Sequence, residues 1–282
     1  MRIAVTGANG AVGGLVVDLL ADDHEVVAVT RRPRAAGACA ATALADYDDL
    51  PALRRALDNV DVLVFVSSDG AAARVLNQHA NVVRAASDAQ VSHVVYLSGL
   101  DADLDSPFCY AYTNGWTERL LAESSLPTSV ARASIFTEFF IARFVAPARE
   151  SGTVRLPTGT GRVSLVAQAD VARCLAALAV SPVGEDPHAI TGPDSVDVRE
   201  VAEVVSRTGT PMHSADISPT EFDAELARAG EDPWWTYAFS SMFASIRMHR
   251  WAATADAVAT LTGRAPLTLS DVLKLRGAQA SA

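Results

Sequence analysis

Three glycines recur at every third position in Thr6–Gly7–Ala8–Asn9–Gly10–Ala11–Val12–Gly13, directly after an apolar run, and that spacing suits a phosphate-binding turn. Gly7 permits a tight exit from a strand, Gly10 lets a diphosphate approach the main chain, and Gly13 allows the following helix to pack closely. Amides at the start of that helix would receive the anion. Thr6, Gly7, Asn9 and Gly10, with Ala11, Val12 and Gly13, are therefore read together as one nucleotide-binding unit, although a GxxGxxG array alone would also serve as a structural turn. Arg31 and Arg32 end the next apolar run, where an NAD-specific site presents a carboxylate to the adenosine ribose. A guanidinium there can grip a 2′-phosphate in bidentate fashion, so NADP(H) is favoured, with NAD(H) cross-use left open. Asp46 and Tyr47 carry two readings of equal weight: they flank adenine, or they cap and pack the next helix.

A repeating strand–helix alternation must position these groups. Arg2–Thr6 reads as a strand, a helix follows to Leu20, and Val26–Thr30 completes a βαβ opening. Strands near Ala41–Ala45, at Val62–Val66 and Val91–Leu97, and a further one from Ser129, alternate with helices near Leu50–Leu57, Leu76–Ala89 and Trp116–Ser124. The fold class is accordingly α/β, a Rossmann-like doubly wound parallel sheet with a smaller, largely helical substrate-binding region or lid. Residues 1–180 are assigned to the nucleotide-binding core and 181–282 to the lid region, integrated into one compact unit. Within the latter part, a strand is expected at Val163–Val166 just upstream, a helix at Gln168–Ala179, a break around Pro182–Gly184, a short strand at His188–Thr191, and helices at Val198–Val205, Glu221–Ala229 and Trp234–Arg250. The closing AQASA reads as a frayed tail.

Composition narrows the function classes. A formal net charge of -10 without a basic patch disfavours nucleic acid as a partner. Cys39, Cys109 and Cys174 neither pair fully nor lie at zinc-ligand spacing, and His79, His93 and His249 are scattered, so no metal site is expected. Reduced thiols, no leader-like opening and no apolar run near the roughly 20 residues that a span requires point to a cytoplasmic protein without membrane contact, monomer or homodimer.

Taken in order, TGANGAVGG, the RR pair, DYDD, YLSG, TNGWTERLLAESSL and VARASIFTEF resemble the NmrA-like atypical short-chain dehydrogenases/reductases over roughly the first 180 residues. That resemblance implies a Rossmann core, with Ser67 and Ser68 near the central ribose of the cofactor. The same resemblance implies that Arg132 organises a loop, that Ile135 and Phe136 form pocket wall, and that Asp170 starts a helix. Asn114 stands where many such proteins have lysine or histidine, so it can donate an amide hydrogen bond to cofactor or substrate but cannot supply their charge or acid–base chemistry. The YxxxK pair of ordinary short-chain reductases is also missing, since Tyr112 is followed at that interval by Trp116 and Tyr110 by Asn114.

Ser98, Asn114 and Tyr112 are the candidates for orienting or polarising a substrate carbonyl. Tyr110, Tyr112, Phe136, Trp234, Trp235, Met242 and Phe243 are the candidate substrate wall, suited to a bulky aromatic small molecule, though such residues at helical spacing also build cores. A likeness to polyketide-tailoring reductases implies an NADPH-dependent ketoreductase acting on a polycyclic aromatic ketone, as in antibiotic biosynthesis. A reductase of quinones or other small molecules, and a cofactor-sensing regulatory protein without turnover, are the competing expectations.

Overall fold

The runs RIAVT, VLVFV and HVVYLSG are apolar at successive positions, the pattern of strands covered on both faces. In the computed structural model, which describes residues 1–33, 41–181, 187–209 and 211–280, these runs are central strands of a seven-stranded parallel sheet. Its members are β1 (Arg2–Thr6), β2 (Glu25–Thr30), β3 (Ala41–Leu44), β4 (Val62–Val66), β5 (His93–Gly99), β6 (Thr128–Ala133) and β8 (His188–Ile190). The spatial order is β3-β2-β1-β4-β5-β6-β8, so the chain reverses its direction of travel between β1 and β4. In open α/β sheets, ligands bind beyond the carboxyl ends of the strands at such a reversal.

Helices cover both faces. On one, α1 (Ala11–Leu20) and α6 (Gln168–Val180) share a core with the sheet through Val16, Val17, Val171 and Leu175. On the other, α2 (Leu50–Ala56), α3 (Ala72–Asp88) and α4 (Cys109–Glu123) pack through residues such as Leu53, Val82 and Leu121. This is the doubly wound Rossmann-like arrangement that the alternation predicts.

A second core holds the smaller region. Thr137–Arg149 winds as α5 (Thr137–Phe140), a π-helical turn (Ile141–Val145) and a 3-10 turn (Ala146–Arg149), packing Phe140 and Phe144 against α7 (Val198–Ser206) and α9 (Pro233–Arg247). The helix α7 opens with a reciprocal capping box between Asp197 and Glu200, and α9 with Pro233 in its first turn and Asp232 accepting from the Trp234 amide at 2.8 Å. Two short strands, β7 (Thr153–Leu156) and β9 (His213–Asp216), pair in parallel, while α8 (Pro219–Arg228), α10 (Ala257–Thr262) and α11 (Leu269–Ala280) complete the order. The residue-180 boundary falls between α6 and β8, and β8 belongs to the large sheet.

Several sequence expectations need correction. The strand expected at Val163–Val166 makes only isolated bridges, to Val196, Trp251 and Phe136. The helix expected from Trp116 begins seven residues earlier at Cys109; α11 runs through Ala280, and the last two residues of the AQASA tail lie outside the described residues. Cys39 and the break at Pro182–Gly184 lie outside the described residues. Among the described residues no helix is long and apolar enough to cross a membrane, and no group of side chains could hold a metal.

Candidate functional site

A cavity of about 800 Å³ opens where the carboxyl ends of β1, β2, β4, β5 and β6 meet, at the β1/β4 reversal. Backbone geometry makes its first half. Gly7 has φ of 61°, and a Cβ on Gly13 would stand 2.4 Å from the Gly7 carbonyl oxygen, so only glycine lets α1 start this close to the turn. Gly10 is the N-cap of α1 and no side chain caps the first turn, which leaves its amides available to an anion. Asn9 Nδ2 donates to the Arg32 carbonyl at 3.0 Å and ties the turn to the end of β2. Such a cradle fits a dinucleotide diphosphate, while Arg31 and Arg32, both exposed, line the rim where an adenosine ribose would lie.

Thr6 does not reach the cavity. Its Oγ1 accepts from the Val66 amide at 2.9 Å and donates to the Val64 carbonyl at 3.3 Å, joining β1 to β4. Asp46 and Tyr47 both line the wall. Asp46 accepts from the Asp48 amide at 3.0 Å in a turn, and it is Asp49 that caps α2 through the Ala52 amide at 2.9 Å. Tyr47 donates to the Val66 carbonyl at 2.7 Å and sits edge-on to Phe65, its phenol pushed up by burial, so wall and packing roles coincide.

Ser67 and Ser68 follow β4 along the wall. The Ser68 amide and hydroxyl meet His79 Nε2 at 3.0 and 3.1 Å, and His79 Nδ1 lies 2.7 Å from Thr117 Oγ1. Because Thr117 Oγ1 donates to the Thr113 carbonyl at 2.8 Å, the network places the imidazole proton on Nδ1 and makes Nε2 the acceptor. Burial drives the His79 pKa down to about 3, so the ring is a neutral tie between α3, α4 and the β4 loop.

Side chains build the second half. On α4, Tyr110 and Asn114 are four residues apart, share a face and line the cavity. Tyr112, two residues from each, points the other way: it is 38% exposed and does not line the cavity, which corrects its expected place at the site. Asn114 Oδ1 accepts from the buried Tyr96 hydroxyl at 2.8 Å. Ser98 lines the wall, but its hydroxyl donates to Glu118 Oε1 at 2.5 Å, and Glu118 is gripped by Arg132 at 3.0 and 2.5 Å. The chain's single lysine, Lys274, is an exposed residue of α11 outside the cavity wall.

Phe136, Trp235 and Met242 of the candidate substrate wall line this half, joined by Phe139, Phe239 and Trp251. Trp235 stacks on Phe239 with centroids 5.5 Å apart and planes 24° from parallel. Two expected wall residues lie elsewhere. Trp234 faces Tyr237 rather than the cavity, and Phe243 is fully buried between Phe144 and Phe222, at 5.0 and 5.1 Å. Trp251 is held from behind: its Nε1 donates to Ser245 Oγ at 2.8 Å, Ser245 donates to buried Asp101, and Arg250 joins Asp101 to Asp103. The Asp105 amide and Arg250 hold the Asp103 carboxyl below its ordinary range. Sequence reasoning missed Phe108, Phe139 and Gln168 as cavity residues, and no local motif marks them. Their shared signal is proximity to a β-strand end or helix start that forms only in the fold.

Comparison with known proteins agrees with this architecture. Residues 7–182 match the NAD(P)H-binding family. Quinone oxidoreductase 2 of Escherichia coli is 32% identical over 238 residues, covering 81% of this chain and 82% of that protein. Its structure complexed with NADPH superposes with a TM-score of 0.89 at 26% identity, covering 97% and 99% of the two chains. The Citrobacter sp. triphenylmethane reductase gives a TM-score of 0.87 at 26% identity, over 98% and 99%. The NmrA-like family domain-containing oxidoreductase flvB of Aspergillus flavus is 27% identical over 293 residues, 97% of this chain and 94% of that one. With a glycine cradle that fits the diphosphate and a family match that runs from the turn after β1 to just past α6, this chain belongs to the NAD(P)H-binding family, as an oxidoreductase that uses a nicotinamide dinucleotide.

Proposed function

We propose that the protein is an NADPH-dependent reductase of quinone-like or other electron-poor conjugated aromatic acceptors, dyes included. The observation that carries this reading is the continuity of one cavity, from a glycine cradle and arginine rim into a chamber walled by Phe139, Trp235, Phe239 and Trp251. Bound there, a reduced nicotinamide supplies hydride. The aromatic wall offers planar area, each large side chain contributing about 1.5–3 kcal/mol by burial before ordering costs. Arg31 and Arg32 favour the 2′-phosphate of NADPH over the bare hydroxyl of NADH.

The protein's own acid–base equipment is sparse. Asn114 does not titrate, the Ser98 proton is engaged by Glu118, and no lysine accompanies Tyr110, so the acceptor takes its proton from water. An acceptor that delocalises the incoming electron pair over a conjugated system needs little acid assistance, whereas an isolated ketone needs more. That favours quinones and dyes over the ketoreductase reading. The activities of the E. coli quinone oxidoreductase and the Citrobacter triphenylmethane reductase support the same order. Ketone reduction stands second on one observation, the breadth of the aromatic wall, which suits a polycyclic ketone like those handled by polyketide-tailoring enzymes such as the ketoreductase of simocyclinone biosynthesis.

NADPH oxidation and product mass, followed together against benzoquinones, naphthoquinones, cationic triarylmethane dyes and polycyclic ketones, test the reading. Turnover of quinones or dyes at least tenfold above ketones is expected. The reverse order would establish the ketoreductase, and tight NADPH binding without turnover on any of them would leave a cofactor sensor.

A further inference from the structure

Beneath the acceptor half of the cavity, Tyr96 on β5 is fully buried, its ring 5.0 Å from Phe65 and 6.1 Å from His79. Its hydroxyl donates to Asn114 Oδ1 at 2.8 Å, and burial keeps the phenol protonated by pushing its pKa upward. An asparagine amide has nearly the same shape in its two orientations but opposite polarity at each end. With Oδ1 held by the phenol proton, Nδ2 is turned toward Gly99 on the cavity wall, 3.0 Å from where a Cβ on Gly99 would stand. The neighbouring Thr117 hydroxyl is already engaged, donating to the Thr113 carbonyl at 2.8 Å and accepting from His79 Nδ1 at 2.7 Å, and the Tyr96 proton goes to Asn114.

We propose that Tyr96 is a positioning residue that locks the Asn114 amide with its N–H donors toward the cavity, and that this lock gives the enzyme a preference for acceptors bearing an oxygen. The inference rests on the reductase reading and deepens it. Two-electron reduction of a quinone adds the hydride from the dinucleotide and leaves an electron pair on oxygen; water then protonates that oxygen. Asn114 keeps both of its hydrogens throughout and steadies the charge by hydrogen bonding. An acceptor that takes hydride at a cationic carbon gains nothing from that donor. Freed from Tyr96, the amide can turn its oxygen to the cavity, which opposes charge on a quinone oxygen and tolerates a cation.

The test compares Tyr96→Phe with wild type on a quinone and on a cationic triarylmethane dye. Loss of kcat/KM by at least tenfold for the quinone, carried mainly by kcat, with the dye within threefold and the NADPH Kd unchanged, is the expected split. A merely structural role would lower both acceptors alike. Asn114→Ala should reproduce the quinone-specific loss, and the double variant should be no worse than the worse single one, because both act through one donor. If Tyr96→Phe lowers Tm, the Asn114→Ala split carries the test. Equal losses on both acceptors, or an unaffected quinone rate, would overturn the lock alone. Wild-type protein that reduces neither acceptor would remove the reductase reading and the lock with it.

Discussion

The two halves of the cavity are built in opposite ways. The nucleotide half is made by main chain from one short stretch, Gly7–Gly13, with the rim residues Arg31 and Arg32 tied to it through Asn9. The acceptor half is made by side chains from β5, α4, α5, α9 and the segment at Trp251, none adjacent in sequence to all the others. Backbone recognition suits a ligand that is always the same, because a glycine turn has few ways to vary. Side-chain walls suit a ligand that differs among relatives, since each residue can change without disturbing the turn.

The strongest way to break the comparison is Gly13→Ala. Its Cβ would meet backbone atoms of Gly7 and Ala8 at 2.4 to 3.1 Å, none of which is a movable side-chain end. NADPH affinity measured by titration should fall by about a hundredfold or more, roughly 3 kcal/mol, while the fold seen by circular dichroism persists. Retained affinity would show that the turn gives way and that the cradle is less constrained than its geometry implies.

The next prediction concerns the tie between the halves. His79 has its folded-state pKa depressed to about 3, against an ordinary value of 6.5, so the unfolded chain binds the extra proton between those limits. Stability is therefore fully present above about pH 6.5 and is lost as pH falls toward 3, with a slope approaching about 1.4 kcal/mol per pH unit from this group. Chemical denaturation from pH 7 to 4 should show a shallower acid loss in His79→Gln than in wild type. Parallel slopes would mean that His79 is solvated.

Arg31→Ala with Arg32→Ala should weaken NADPH about tenfold or more and NADH hardly at all, because only the 2′-phosphate loses its partners. Equal losses in competitive binding would place the phosphate elsewhere. The smallest effect is expected at Tyr112→Phe, which should keep kcat/KM within about twofold because the residue lies outside the cavity wall. A large loss with NADPH affinity intact would return a catalytic phenol to α4.

What the sequence revealed follows the same division. The βαβ opening and its glycines are legible because strand, turn and helix signals sit within about thirty contiguous residues. The start of α4 is not, because Tyr110, Tyr112, Thr113 and Gly115 are weak helix formers and the segment is held by tertiary contact rather than propensity. Thr137–Arg149 hides for a similar reason: a π turn and a 3-10 turn break the 3.6-residue period that would announce a helix. Tyr112 and Phe243 lie away from the cavity wall, one exposed and one buried in the second core, because the face that a helical residue occupies is set by packing that its residue type does not reveal.

Arg250 reaches Asp101 across 149 positions of chain. Closing so long a loop carries a larger entropic cost than the contacts within the first βαβ unit, and contacts of high sequence separation slow the search for the native state. The order of assembly that follows puts the cradle first and the Trp251 wall late. Destabilising the clasp should thus leave a chain that still holds its dinucleotide while its other chamber stands open, and hydrogen exchange would find the amides around Ser245–Trp251 opening at lower free energy than those of β1 and β4.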